Sequence, residues 1–154
     1  MTAASPDRPR APATRLTQEV QNWTGVTVHP HPNASLTFRL DRATIGVLRA
    51  EHTLAVPLPP PIRTVLLDHG LAGPPHEPEA PDWVSLPVNQ PDDIAPATRL
   101  LRLSYLYRHL LRARDPATLH RIRTELAQHQ VPDALRRIYD AMLAKRDAAA
   151  RSSS

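Results

Sequence analysis

The stretch LTFRLDRATIGVLRAEHTLAVPLPPP, residues 36–61, decides the fold. Leu36, Phe38 and Leu40 alternate with polar residues, Leu54, Val56 and Leu58 do the same, and the segment Thr44 to Arg49 lies between them. Period two is the mark of strands with one face buried, and the polar residues separating the runs supply the turns. Pro59-Pro60-Pro61 stops the last of these strands. The same prolines preset the first turn of a helix whose apolar face is Ile62, Val65 and Leu66, closed by Gly70 with Leu71 behind it.

Upstream, Val26 and Val28 add another strand to give a meander of four, and Leu16, Val20 and Trp23 recur at helical spacing behind Thr14 as the cap, with Gly25 closing the turn. Residues 1–13, rich in Pro, Ala and Arg, read as a disordered N-terminal arm. Downstream, Gly73 to Pro81 carries no pattern, and Asp82 to Val88 reads as a fifth strand that Pro87 places at an edge. Asp92 and Asp93 favour a helix start; Leu100, Leu103, Tyr107 and Leu110 then form a stripe that covers the sheet. Asp115-Pro116 and Pro132 open two further amphipathic helices, and residues 147–154 read as a frayed tail. The expected fold is α+β: a small antiparallel sheet of about five strands covered by helices, with a C-terminal helical extension. Its divisions are a domain at 14–112 and a basic helical pair at 113–146.

A chain of 154 residues suits one domain. Cysteine is absent, which excludes disulfides, thiolate metal sites and cysteine nucleophiles. With 4 glycines and no Gly-x-Ser-x-Gly, the serine-hydrolase elbow and the Gly-rich phosphate loops are excluded too. His29-Pro30-His31 offers two ligands on one strand face, but a zinc site needs at least three, so no metal is expected. Residues 1–96 hold 7 Arg against 10 acidic residues, and 97–154 hold 12 Arg plus Lys against 5, giving −3 and +7. The expectation is that the two halves partly neutralise each other, with nucleic-acid binding disfavoured because few aromatics interleave with the arginines. The chain shows neither a signal-peptide core nor a run long enough to span a bilayer, so a cytoplasmic location and no membrane partner are expected.

The ordered series Trp23-Thr24-Gly25-Val26, His31, Phe38-Arg39, Gly46, Pro57-x-Pro59, Arg63, Gly70, His76, Asp82-Trp83-Val84 and Leu100-Leu101-Arg102-Leu103-Ser104-Tyr105 resembles the luciferase-like domain family of bacteria and fungi. Its members are similar to fungal luciferase, so the resemblance implies an apolar pocket and a cofactor-free oxygenase chemistry in which a base deprotonates an acidic enol. The chain departs from that pattern where such a base would sit. A common acidic residue is Thr37, both histidines of a Gly-His-x-His element are replaced by Val47 and Arg49, another acidic residue is Ala55, and a glycine pair is Ala34-Ser35.

These departures point to a divergent member that binds a small, partly apolar molecule and leave its catalysis open, with no catalytic residue assigned and no cofactor. His31, His76, Trp83 and Phe38 are the candidate pocket residues. The alternative reading is an interaction module. In it Leu119, Ile122, Leu126, Leu135, Ile138 and Met142 pair with a partner helix or a second copy.

Overall fold

The computed structural model describes residues 11–75 and 82–152. Five strands, β1 (Val26–Pro30), β2 (Leu36–Leu40), β3 (Ala43–Leu48), β4 (Thr53–Pro57) and β5 (Trp83–Pro87), form one antiparallel sheet in sequence order. Helix α1 (Ala11–Gln21) precedes it, α2 (Pro60–Asp68) links β4 to β5, and α3 (Ile94–Arg112), α4 (Pro116–Gln128) and α5 (Asp133–Ser152) follow. The expected α+β class, the meander and the edge position of the strand ending in Pro87 are all present.

Strand register assigns the two faces. Phe38 pairs with Gly46 and Val56 with Val84, and a Cβ on Gly46 would stand 2.5 Å from Leu101 of α3. That row therefore faces the helices, and Gly46 is the close approach that lets α3 lie on the sheet. The next row, Thr37, Val47, Ala55 and Ser85, shares the opposite face because side chains alternate along each strand.

Helix α3 lies against β3, β4 and β5 on one side and α4 and α5 on another, while α5 also packs on α2. Its eight buried residues, with Ala97, Leu101, Ser104 and Tyr105 on one flank and Leu103, Leu106 and Leu110 on another, together cover roughly 260° of the helix at 100° per residue. A single core follows, running from Ala13 to Leu143. At its deepest point the fully buried Tyr139 of α5 donates its hydroxyl to the Leu103 carbonyl at 2.8 Å, and burial pushes that phenol's pKa up. The C-terminal pair is thus continuous with the core of the sheet domain.

Two boundaries differ from the sequence reading. Helix α1 begins at Ala11 rather than behind Thr14, because Pro12 suits a first helical turn and Ala13 is buried against the core; only residues 1–10 of the expected arm lie outside the described residues. Helix α5 continues to Ser152, past the expected end at 146. Ala148, Ala149 and Ala150 are the strongest of helix formers, Asp147 pairs with Arg123 of α4 at 2.8 Å, and the Ser152 hydroxyl donates to the Ala148 carbonyl.

Ala34, where the resemblance has a glycine pair, occupies the left-handed region with φ of 71°. An L side chain there costs about 1–2 kcal/mol, against which glycine loses some unfolded-state entropy. Ala34→Gly is expected to stabilise the protein by about 0.5–1 kcal/mol in denaturant titration.

Candidate functional site

Three of the positions at which the chain departs from the resembled pattern fall together. Thr37, Val47 and Ala55 are consecutive partners across β2, β3 and β4, and Ser85 continues the row on β5. A carboxylate or imidazole at each of the first three would have formed one polar strip on the face away from α3. Here the strip holds a hydroxyl, an isopropyl group and a methyl group. Thr37 is spoken for, since its Oγ1 lies 2.7 Å from Nε2 of His31, and the Ser85 hydroxyl donates to the Pro74 carbonyl at 2.7 Å. The Arg49 guanidinium pairs with Glu51 at 3.0 Å.

The candidate pocket residues do not converge. His31, exposed beyond β1, is tied to Thr37 near one edge of the sheet. Trp83 opens β5 at the other edge, three strand spacings across and two residues along from Thr37, about 16 Å away. Phe38 is fully buried on the opposite face, in the core beneath α3. The reason is parity, because Phe38 neighbours Thr37 in sequence and so points the other way. His76 lies outside the described residues, as do Glu77 and Glu79.

The apolar stripes offered to a partner are occupied within the chain. Leu119, Ile122, Leu126 and Leu135 are buried in the common core, and Ile138 and Met142 pack against it half-buried. An amphipathic helix signals that a face must be covered and leaves open what covers it; here α2, α3 and the facing helix of the pair do so.

Chemistry gathers instead on the helical side, in a groove of about 830 Å3 lined by α1, α3 and α4. Its floor is the Arg102 guanidinium, which lies 4.8 Å from the Trp23 ring centroid and 4.4 Å from that of Tyr105, an arrangement worth more as desolvation increases. Nε and Nη2 of Arg102 donate to both carboxylate oxygens of Glu125, the second at 2.7 Å. Glu125 also meets His129 Nε2 at 3.1 Å, and Trp23 Nε1 donates to Glu19 at 3.3 Å. Burial works against both charges of the central pair. The mutual hydrogen bonds and attraction nevertheless leave the Glu125 pKa below, and that of Arg102 above, its usual value. Tyr105 is anchored by its hydroxyl, which donates to the Thr24 carbonyl at 2.7 Å, and burial raises its pKa.

By sequence Trp23 falls on the apolar stripe of the first helix and Arg102 among the basic residues of the second half. Sequence reasoning missed their union because a cation–π contact between α3 and the turn after α1 is tertiary. The available signal was that Trp23, Arg102 and Tyr105 all belong to the resembled series. Basic residues beyond this cluster are also engaged within the chain: Arg112 pairs with Asp41, and Arg146 donates to the Leu111 and Ala113 carbonyls at 2.6 and 3.0 Å, closing the end of α3. Two other cavities, of about 630 Å3 beside Thr14, Leu48 and His52 and about 270 Å3 among Leu66, Leu86 and Leu100, are not lined by His31, Phe38 or Trp83. Among the described residues no group of three His, Asp or Glu could hold a metal ion, and no helix is long and apolar enough to cross a membrane.

His109 stacks edge-on against Tyr105, centroids 4.5 Å apart; burial first, then Arg112, Arg102 and Arg121, lower its pKa, with Asp41 opposing. As pH falls through the ordinary histidine range the unfolded chain takes up this proton before the folded one does. Stability present above about pH 6.5 is therefore lost on acidification until the folded group also titrates. His109→Gln is expected to flatten the fall in thermal midpoint between pH 7 and 5.5 relative to the parent protein.

Residues 42–104 match the family model described as Luciferase domain, a stretch from the start of β3 into α3 that makes up less than half of the chain. The match includes Val47, Ala55, Trp83 and Arg102, whereas Trp23, His31, Phe38 and Tyr105 lie beyond it. No curated protein and no solved structure matches the chain. Over residues 42–104 the likeness read from the sequence is to the Luciferase domain family, and there it is borne out.

Proposed function

We propose that this chain is a divergent Luciferase-domain protein that binds a small, partly apolar molecule in the groove between α1, α3 and α4. The observation carrying this reading is the convergence of Trp23 and Arg102, with Tyr105 packed beneath the guanidinium, at one open cavity of about 830 Å3, large enough for a ligand of ordinary size. The indole of Trp23, Ile94 and Ala95 supply apolar wall; Arg102, Glu125 and His129 supply polar contacts held in place before any ligand arrives. Preorganised groups of this kind spare the ligand the cost of ordering them.

Binding, rather than proton abstraction, is the activity these groups favour. The sheet-face row lacks a base at Val47 and Ala55, and Glu125 is ionised and hydrogen-bonded to Arg102, which makes it a poor acceptor of a further proton.

Ala95 is exposed in the groove wall, so Ala95→Trp fills the cavity without disturbing the core. The neutral fluorescent probe N-phenyl-1-naphthylamine is expected to bind the parent protein, and Ala95→Trp is expected to weaken it about tenfold or more at unchanged thermal stability. Undiminished probe binding by Ala95→Trp would remove the groove from consideration.

A further inference from the structure

The geometry points to a ligand class: we infer that the groove takes an aromatic monocarboxylate, an inference that rests on the groove being the ligand seat. Arg102 is already neutralised by Glu125, and Glu19 accepts the hydrogen bond of the Trp23 indole. Arg15 of α1 and Arg99 of α3 also line the groove, both exposed, and neither has an ion-pair or hydrogen-bond partner among the described residues. The lining thus holds three arginines, Arg15, Arg99 and Arg102, against two glutamates, Glu19 and Glu125, a net charge of +1, with the half-buried Trp23 indole in the same groove.

A guanidinium presents a planar fork that receives a carboxylate through two parallel hydrogen bonds, while an indole face receives an aromatic ring. Those two kinds of group in one groove match a molecule with an acid at one end and a flat apolar body at the other. Glu19 and Glu125 line the same groove and repel extra negative charge, which favours a monoanion over a phosphate ester or a nucleic-acid backbone.

The test compares naphthalene-2-carboxylate with its neutral isostere naphthalene-2-carboxamide by titration calorimetry on the full chain, at low and at raised salt. The carboxylate is expected to bind about tenfold tighter than the amide, with an advantage that shrinks as salt rises. Arg15→Gln and Arg99→Gln, both at exposed positions, should each reduce carboxylate affinity severalfold and leave the amide unaffected. Equal binding of acid and amide overturns the ligand class while leaving the groove as a ligand seat. No binding of either overturns the class as well, and the neutral-probe experiment with Ala95→Trp then decides the seat separately. In the full-length protein, shifts of the Arg15 and Arg99 Nε resonances on adding carboxylate support the assignment, and their absence despite binding contradicts it.

Discussion

Helix α3 is buried around most of its circumference, and such a helix is stable in water only when more than one flank is covered. The sheet covers the first. Gly46 brings Leu101 down against β3 and β4, and a Cβ at that position would stand 2.5 Å from the Leu101 side chain, which would have to give way. The other is covered by α4 and α5, joined to α3 by the Tyr139 hydroxyl at the Leu103 carbonyl and by Arg146 at the carbonyls that end the helix. A hydroxyl left without its partner at the depth of Tyr139 costs on the order of 1–3 kcal/mol, so that bond constrains position as well as adding stability. The C-terminal pair is therefore the second wall of the domain.

That constraint also builds the groove. Arg102 projects from α3 toward the turn after α1, where Trp23 stacks on it, and toward α4, where Glu125 grips it. Without α4 the guanidinium would lose its counter-ion, and without α1 and the turn after it only Tyr105 of its own helix would remain as aromatic cover. Among the described residues the polar groups gather at the junction of three helices, while Val47 and Ala55 leave the middle of the sheet face apolar.

The strands were legible because period-two alternation and polar turns act locally, as Leu36, Phe38 and Leu40 show. Alternation also held information that was not drawn out: Thr37, Val47 and Ala55 each stand one residue from a core position, which is enough to place them on a common face. The faces met by the last helices were not legible, because the stripe of Leu119, Ile122 and Leu126 states a need for cover without naming its source. Nor was the strain at Ala34, since a left-handed residue is imposed by the hairpin around it and alanine gives no local warning. The pairing of Trp23 with Tyr105 spans most of the domain in sequence and exists only once α1 lies on α3.

Native-state hydrogen exchange on the full chain tests most directly whether the sheet and the C-terminal helices are one cooperative body. Amides of Ile45 and Val56 in the sheet and of Tyr139 and Leu143 in α5 are expected to open with a common free energy and a common dependence on denaturant. Exchange of the α5 amides at a markedly lower opening free energy, with the sheet still protected, would contradict the account.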